Sequence, residues 1–395
     1  MTYDVIIIGA GLVGLSTAYQ SKLKNQDLKI LVLEKESDVA LHQSGHNSGV
    51  IHSGIYYKPG SLKAQNCIEG YGSIIEFAKE HHINYDLCGK IIVATNNNEV
   101  SLLENIYNRG IQNGLQDLKY LSREEFREIE PHCEGVKAIK VPQTGIIDYP
   151  AVAQTLKRLF QNIGGEILHN QQVLNIKQLG KNTVVTTQNI EFQTSKVVTC
   201  AGLYSDKMSR LTNPDNDLKI IPFRGEYYKI KDEKKYLVNH LIYPVPDPSF
   251  PFLGVHFTRM TDGNIEAGPN AVLAFKREGY KFSDFNFSET METLTWPGFW
   301  KIVAKYGNTG MGEMYRSLSK AAFTKALQKL IPDIQENDLV PGGAGVRAQA
   351  CNREGILIDD FDIVKNGNII HVRNAPSPAA TSCLSIGKQI SNLIN

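Results

Sequence analysis

The sequence predicts an α/β fold in which a parallel sheet carrying a nucleotide-binding unit is joined to a second domain with a mixed or antiparallel sheet. The β-branched run at 4–8 is typical of a central parallel strand that is buried on both faces. It leads directly into a Gly-x-Gly-x-x-Gly sequence at 9–14 and then an apolar helix start. Residues 220–300 instead carry alternating aromatic residues and prolines, which favour an antiparallel sheet.

Each glycine of the turn at 9–14 has its own purpose. Gly9 and Gly11 permit a tight turn that lets the backbone approach a pyrophosphate, and Gly14 lets the helix pack closely on the strand. A second predicted strand at 29–33 ends at Glu34, where a carboxylate is suited to accept hydrogen bonds from a ribose. Together these features predict a dinucleotide site, but they do not distinguish NAD from FAD.

The segment after the second strand distinguishes the two cofactors. An NAD-dependent dehydrogenase would continue with further strands and helices, whereas here Glu34 and Lys35 lead into a polar loop at 44–49. In flavoproteins of the glutathione-reductase type, small residues at that position contact the pyrophosphate and the edge of the isoalloxazine through their backbone. The loop therefore favours FAD bound to a glutathione-reductase-type Rossmann domain. Its predicted cofactor-binding residues, with Lys35, are Ser44, His46, Asn47, Ser48 and Gly49.

Later segments are predicted to complete the cofactor site. Val173 begins a predicted meander, and an apolar strand after it ends in Ala201 and Gly202. A C-terminal strand at 368–372 leads into a turn and a helix start, which is placed to stabilise negative charge on a reduced flavin. The predicted cofactor-binding residues of that turn are Ser377, Pro378, Ala379, Ala380 and Thr381.

Composition excludes several classes of function. The 395 residues are enough for about two domains. The net charge is +1, from 42 Lys and Arg against 41 Asp and Glu, so a nucleic-acid partner is not expected. The six cysteines are scattered without a Cys-x-x-Cys pair, so we expect reduced thiols and no metal site. With no leader-like N-terminus and no apolar run of about 20 residues, we expect a cytoplasmic protein, and peripheral attachment to the inner face of the membrane stays open.

Several longer motifs resemble those of one enzyme family. They are HNSGVIHSGIYYKPGSLKA at 46–64, PFRGEYY at 222–228, YPVPDPSFPFLGVHFT at 243–258, GPNAVLAFKREGY at 268–280, GGAGVRAQ at 342–349 and NAPSPAATSCLSIG at 374–387. These motifs, which extend over essentially the whole chain, are similar to those of L-2-hydroxyglutarate dehydrogenases and oxidases, which are D-amino-acid-oxidase-like flavoproteins. The resemblance implies non-covalent FAD, oxidation of L-2-hydroxyglutarate to 2-oxoglutarate, and transfer of the electrons to a membrane quinone or to oxygen.

The resemblance also implies how the chain is divided. It assigns residues 1–76, 147–219 and 337–395 to a discontinuous FAD-binding domain. Residues 77–146 and 220–336 then form an α+β substrate-binding domain on a mixed or antiparallel sheet.

The aromatic-rich segment at 275–306 has two interpretations, and it contains both tryptophans of the protein. It is either an interfacial surface that meets lipid and quinone, since Lys301 and Lys305 lie near Trp300, or packing within and over the substrate domain. We favour packing, because aromatic residues are core residues first.

Oxidation of a 2-hydroxy acid needs a group that accepts the hydroxyl proton, and histidine titrates in the suitable range. His52 directly follows the polar loop, and His256 lies on a predicted strand of the substrate sheet. We favour His52 as the catalytic base, with His256 as the alternative.

Two substrate carboxylates call for bidentate cations, and arginine suits this geometry. Arg347 is the first choice for the C1 carboxylate, and Arg224 is the second arginine candidate. Three cations stay unranked for the distal carboxylate: Arg259, Lys276 and Arg277. Predicted hydrogen-bond donors to the substrate are Tyr56, Tyr227 and Tyr243.

Two other functions remain open from the sequence. One is oxidation of an amine or amino acid, as in glycine or sarcosine oxidases, which does not need a strong base. The other is a non-catalytic flavin-binding module, which would not need a pocket with two cations.

Overall fold

The computed structural model describes residues 2–213, 216–248 and 252–394, so residues 249–251 of the motif at 243–258 lie outside the described part. The helices are α1 Leu12–Lys24, α2 Leu62–Glu80, α3 Val100–Gln112, α4 Arg123–Ile129, α5 Tyr149–Asn162, α6 Ser205–Arg210, α7 Phe287–Leu294, α8 Pro297–Leu318, α9 Lys320–Leu327 and α10 Cys383–Ile394. The strands are β1 Thr2–Ile8, β2 Ile30–Leu33, β3 Val50–Ile51, β4 Tyr85–Asp86, β5 Lys90–Ala94, β6 Lys119–Ser122, β7 Lys137–Val141, β8 Gly145–Ile147, β9 Glu166–Leu168, β10 Val173–Leu179, β11 Asn182–Thr187, β12 Glu191–Thr199, β13 Leu218–Ile230, β14 Leu241–Pro244, β15 His256–Arg259, β16 Ile265–Gly268, β17 Val272–Leu273, β18 Leu339–Asn352, β19 Asp362–Asn366 and β20 Ile369–Asn374.

The first sheet contains the predicted nucleotide-binding unit. Its strands follow the order β10-β11-β12-β1-β2-β9, and β20 pairs with β12 and with β19. The central pairs are parallel: β1 with β2 and β12, β2 with β9, and β12 with β20. Val5 and Ile7 of β1 lie in the core with residues of α1, α5 and α10, whereas Ile6 and Ile8 lie in a second core with residues of β10 and β11. This burial on both faces explains the unbroken β-branched run at 4–8.

The second sheet is mixed, as predicted. Its strands follow the order β17-β13-β16-β15-β14-β5-β7-β6, and β18 pairs with β13. The pair of β14 and β5 is parallel, and β5 pairs with β7 in the antiparallel sense. Phe126 of α4 and Phe323 of α9 pack against one face together with Ile91 and Phe257 of the sheet. The fold is thus an FAD-type α/β domain joined to an α+β domain.

A small sheet connects the two large ones. β3 follows the polar loop at 44–49 and pairs with β8, which also pairs with β4. The amide of Ile147 donates to the carbonyl of Gly49 at 2.8 Å. This hydrogen bond fixes the end of the loop, so the chain leaves the first sheet in a set direction towards His52.

The expected domain division needs one change. The range 337–395 was assigned to the FAD-binding domain, but β18 pairs with β13 from Leu218 opposite Asn352 to Ile230 opposite Leu339. Since β13 belongs to the second sheet, we propose that residues 339–352 belong to the substrate-binding domain. The chain then returns to the first sheet at β19.

The aromatic segment contains both buried and exposed residues. Trp296 and Phe299 are buried in a cluster with Ile221 and Ile302, as packing requires. The exposed large apolar residues of the segment and of the rest of α8 are Phe282, Phe285, Phe287, Met291, Trp300, Val303, Met311, Tyr315 and Leu318. Among the described helices, none combines the length and the apolar character that crossing a bilayer requires.

Candidate active site

The glycine turn leaves no room for side chains. Gly9 has a φ of +103°, and a Cβ on it would lie 2.5 Å from the carbonyl oxygen of Cys200. A Cβ on Gly14 would lie 1.9 Å from the carbonyl oxygen of Gly9, and one on Gly11 would lie 3.0 Å from Ser44 Oγ. The turn therefore presents bare backbone at the start of α1, as binding of a pyrophosphate requires.

Glu34 lies at the end of β2 and points its carboxylate back towards this turn. Oε2 accepts from the amide of Ala10 at 2.7 Å, and Oε1 accepts from the amide of Glu36 at 3.0 Å. Each oxygen keeps a further lone pair for a ribose hydroxyl. The amide of Gln171 donates to the carbonyl of Glu34 at 2.8 Å, which places the segment before Val173 on the same edge.

The polar side chains of the loop at 44–49 shape its backbone. Ser44 Oγ accepts from the amide of Leu12 at 3.0 Å, so it ties the loop to the first turn of α1. The Asn47 amide group donates to the carbonyl of Ser44 at 2.9 Å, and its oxygen accepts from the amide of Gly49 at 2.9 Å. With these side chains used locally, the loop has backbone groups left for a ligand.

The C-terminal turn lies against the segment that follows this loop. The amide of His52 donates to Thr381 Oγ1 at 3.1 Å, and Ser377 Oγ lies 3.3 Å from His52 Nε2. Thr381 Oγ1 is also 2.9 Å from the hydroxyl of Tyr149. The carbonyl of Cys200, the residue before Ala201, lies against Gly9. The predicted cofactor segments therefore meet at the carboxyl ends of the parallel strands.

Lys35 takes part in a contact between the two domains. Its Nζ lies 2.7 Å from the carboxylate of Glu278, which is also 2.9 Å from His42 Nε2. Glu36 pairs with the same lysine and histidine. These carboxylates and the imidazole are close enough to one another to hold a metal ion, but the Lys35 ammonium already supplies the positive charge there. The geometry places the Lys35 side chain in this cluster.

His46 also contacts the second domain. Its ring stacks on Tyr280 with 4.1 Å between the ring centroids, and its Nδ1 lies 3.2 Å from the carbonyl oxygen of Ala344. The bare turn, the Glu34 carboxylate and the backbone-lined loop match the pyrophosphate, the ribose and the ring system of FAD. The residues present therefore fit this cofactor.

Two histidines lie together beside the cofactor surface. The ring of His256 is 4.0 Å from the ring of Tyr243, and its Nδ1 is 3.0 Å from the carbonyl oxygen of Gly254. A carbonyl only accepts, so Nδ1 carries the hydrogen and Nε2 keeps a free lone pair. Burial lowers the pKa of His256 to about 3, and the charges of Arg347 and Lys90 add to this effect.

Burial likewise lowers the pKa of His52 to about 3, together with the charges of Lys90 and His256. Both imidazoles are therefore neutral at pH 7, in the form that accepts a proton. The structure brings together the two base candidates that the sequence suggested.

Arg347 faces this pocket, and Arg224 does not. In the pairing of β13 with β18, Phe223 lies opposite Arg347 and Arg224 lies opposite Val346. Opposite residues share a face and successive residues alternate, so the two arginines are on opposite faces of the sheet. Arg224 pairs with Glu226 at 2.9 Å, whereas Nη1 of Arg347 is buried without a hydrogen-bond partner. The geometry favours Arg347 as a substrate ligand and assigns Arg224 to an internal ion pair.

The three predicted tyrosines surround the same pocket. The hydroxyl of Tyr56 is buried without a hydrogen-bond partner. Tyr243 stacks on His256, and burial raises the pKa of Tyr227 to about 12 although Arg347 opposes the shift. The Tyr227 phenol is therefore protonated at pH 7 and is available as a hydrogen-bond donor.

Lys90 belongs to the pocket as well, and the sequence analysis missed it. It begins β5 and is only 2 % exposed, with Nζ 4.6 Å from the ring centroid of Tyr56 and 4.8 Å from that of Tyr243. A lysine next to the apolar run at 91–94 looks like the polar start of a strand. The continuous apolar run at 91–94 could have indicated that this strand lies inside a sheet. The first residue of such a strand, here Lys90, is then buried as well.

The unranked cations for the distal carboxylate lie elsewhere. Arg277 forms a buried bidentate ion pair with Asp206, at 2.6 and 2.9 Å. Arg259 is exposed and donates to the carbonyl of Asn239. No contact of Lys276 with the pocket is seen in the part of the chain that the structure describes.

Comparison with known proteins gives a consistent result. The family model described as FAD dependent oxidoreductase matches residues 4–393. An L-2-hydroxyglutarate dehydrogenase of Indibacter alkaliphilus is 58% identical over 388 residues, which cover 98% of this chain and 97% of that protein. The chain belongs to the L-2-hydroxyglutarate dehydrogenase family of FAD dependent oxidoreductases.

Other relatives agree with this membership. The mitochondrial L-2-hydroxyglutarate dehydrogenase of Homo sapiens is 46% identical, with 99% of this chain and 88% of that protein covered. Among solved structures, the FAD-bound L-alpha-glycerophosphate oxidase of Mycoplasma pneumoniae aligns with a TM-score of 0.82 and 26% identity over 100% of this chain and 95% of that one. The predicted family, the FAD-type α/β fold and the FAD cofactor are thereby confirmed.

For this member of the L-2-hydroxyglutarate dehydrogenase family, we predict that Arg277→Met lowers the free energy of unfolding by about 3–5 kcal/mol, because it leaves the carboxylate of Asp206 buried and unpaired. Urea denaturation followed by circular dichroism measures this loss. Lys276→Met is the matched control and should change the stability by less than about 0.5 kcal/mol. An Arg277→Met variant of normal stability with a raised KM would instead place Arg277 in the substrate site.

Proposed function

We propose that this protein oxidises L-2-hydroxyglutarate to 2-oxoglutarate, with FAD bound at the glycine turn and the polar loop. The observation that carries the proposal is the pocket itself, in which two neutral histidines lie beside the Arg347 guanidinium. The Nη1 of Arg347 is buried without a hydrogen-bond partner, and within the described ranges its guanidinium has no ion pair. A partly buried cation without an anion fits a substrate that brings its own carboxylate.

FAD, when bound, supplies the acceptor for the C2 hydrogen and its electron pair. The chain has to orient C2, exclude water and remove the hydroxyl proton. Arg347 binds the C1 carboxylate through its planar guanidinium, which fixes the orientation of the neighbouring C2. The aromatic rings of Tyr56 and Tyr243 form apolar walls that limit access of water.

We propose His52 as the group that accepts the hydroxyl proton. Its backbone is held by Thr381 and its ring lies near Ser377, so it stands between the cofactor surface and the pocket. His256 has a free Nε2 lone pair and is the alternative acceptor, since the hydroxyl has only one proton to give.

The substrate test is anaerobic reduction of the purified flavoprotein. L-2-hydroxyglutarate should bleach the flavin absorbance, and D-2-hydroxyglutarate and glycine should not, because the relatives that this chain matches are named L-2-hydroxyglutarate dehydrogenases. Bleaching by glycine would indicate an amine oxidase. Absence of bleaching by all three compounds would indicate a non-catalytic flavin-binding module.

The base assignment predicts that His52→Ala slows flavin reduction by about two to four orders of magnitude in stopped-flow experiments. His256→Ala should slow it less, since the hydroxyl proton still has its acceptor. The reverse order of the two effects would assign the base to His256.

The pH dependence provides a second readout of this assignment. Both imidazoles have a pKa of about 3, so they stay neutral as the pH falls from 7 to 5. The rate of flavin reduction at saturating L-2-hydroxyglutarate should therefore be unchanged over that range in the wild-type protein, whereas the substrate affinity can follow the charge of Lys90, whose pKa burial lowers to about 7. A loss of rate centred near pH 6.5 would show that the base is a histidine with an ordinary pKa.

We further propose that the exposed stripe of α8 contacts a membrane and that the electrons pass to a quinone there. Trp300, Met311 and Leu318 are more than half exposed, and spacings of 11 and 7 residues bring them within about 20° of one another around the helix. Lys301 and Lys305 are also exposed on α8, about 100° and 140° around the helix from Trp300. An exposed apolar stripe on a helix that also carries lysines is suited to the headgroup boundary of a bilayer, because lysine side chains reach towards the headgroups.

Replacement of Trp300, Met311 and Leu318 by Glu should reduce co-sedimentation with phosphatidylglycerol-containing vesicles about tenfold or more, because the apolar contact is lost. It should also slow reduction of a vesicle-embedded quinone while a soluble dye is reduced normally. The control carries Glu at Ile111, Leu174 and Leu179, which are equally exposed elsewhere on the surface. Unchanged vesicle binding and rapid oxidation of the reduced flavin by oxygen would instead support an oxidase.

A further inference from the structure

Lys90 is a buried cation without an anion. It lies at the start of β5, between β14 and β7 in the middle of the second sheet. Its Nζ is held over the rings of Tyr56 and Tyr243 and makes no hydrogen bond or ion pair with any residue that the structure describes. An ammonium taken out of water is costly unless a negative charge compensates it. Because the fold buries this ammonium despite the unfavourable free energy, we expect its charge to have a function in the pocket.

The groups that face Lys90 do not supply a negative charge. His52 and His256 are neutral, since burial lowers the pKa of each to about 3. Burial raises the pKa of the Cys67 thiol to about 12, so this group is neutral as well. Burial also lowers the pKa of Lys90 itself to about 7. A bound carboxylate would restore the charged ammonium and would remove the energetic cost of its burial.

The position of Lys90 relative to Arg347 suggests which carboxylate it meets. Tyr243 links Lys90 to His256, because Lys90 Nζ lies 4.8 Å from the Tyr243 ring centroid and the His256 ring centroid lies 4.0 Å from the same ring. The charge of Arg347 also acts on His256, so the two cations face the same pocket. Lys90 is almost fully buried, whereas Arg347 is only partly so. A dicarboxylic acid extended across the pocket would have one carboxylate at each cation and its hydroxyl-bearing carbon beside the histidines.

We propose that Lys90 binds the distal C5 carboxylate of the substrate and thereby makes the enzyme select a dicarboxylate over a 2-hydroxy acid with an uncharged tail. The inference rests on the proposed function, in which Arg347 holds the C1 carboxylate. It fills the position for which the sequence offered Arg259, Lys276 and Arg277 without a ranking.

The experiment compares two substrates of equal chain length. Lys90→Met replaces the ammonium by an unbranched apolar side chain of similar length. It should lower kcat/KM for L-2-hydroxyglutarate by on the order of 10²-fold, because a buried charge pair is lost. For L-2-hydroxyvalerate, which has a methyl group in place of the distal carboxylate, kcat/KM should change less than about threefold or rise. Lys137→Met is the matched control, since Lys137 also lies over a tyrosine ring, on the neighbouring β7, but is exposed.

Two further measurements separate recognition from folding and from turnover. The ligand-free Lys90→Met protein should have a Tm no lower than that of the wild type, because the substitution removes an unpaired buried cation. The dissociation constant of glutarate, read from the perturbation of the oxidised flavin spectrum, should rise on the order of 10²-fold, while that of pentanoate should stay the same.

An equal loss of kcat/KM for both substrates would overturn the proposal, because it would place Lys90 at the reacting end. Unchanged binding of glutarate would overturn it as well. If the wild-type protein were not reduced by L-2-hydroxyglutarate, the proposed function would fail, and the comparison of glutarate with pentanoate would still test the dicarboxylate site by itself.

Discussion

The contact between the polar loop at 44–49 and strand β18 is the one on which the whole site depends. The Nδ1 of His46 lies 3.2 Å from the carbonyl oxygen of Ala344, and a Cβ on Gly345 would lie 2.5 Å from the carbonyl oxygen of His46. Two backbones from different sheets therefore touch without a side chain between them. Since His52 follows the loop and Arg347 lies two residues after Gly345, the same contact helps to position both side chains.

Among the residues that the structure describes, the pocket contains buried positive charge without a negative partner, which indicates an anionic ligand. Arg347 and Lys90 have no ionic partner within the described ranges. Burial lowers the pKa of both His52 and His256, Lys90 adds to this effect on both, and Arg347 adds to it on His256. Other buried cations of the protein are neutralised internally, as Arg277 is by Asp206. This contrast separates cations that stabilise the fold from cations that await a substrate. It also explains why neutral bases and a dianionic substrate are compatible in one cavity.

The sequence predicted FAD correctly, because the signal for this cofactor is local. Glycines with fixed spacing, an acid after the second strand and a polar loop each act through neighbouring backbone. The substrate half depends on long-range pairing, which composition and spacing do not reveal. The sequence ranked Arg347 before Arg224, but only the register of β13 with β18 shows that the two lie on opposite faces of the sheet. Lys90 resembled a solvent-exposed strand start, and only its position in the middle of the second sheet shows that it is buried.

The most direct test of the central claim, that two unpaired cations hold the two ends of a dicarboxylate, is a crystal structure of the FAD-loaded protein with glutarate. The account predicts one carboxylate within about 3 Å of the Arg347 guanidinium and the other within about 3 Å of Lys90 Nζ, with the carbon chain beside His52 and His256. A complex in which Lys90 has no contact with glutarate, or in which a carboxylate binds Arg224 or Arg277, would contradict it.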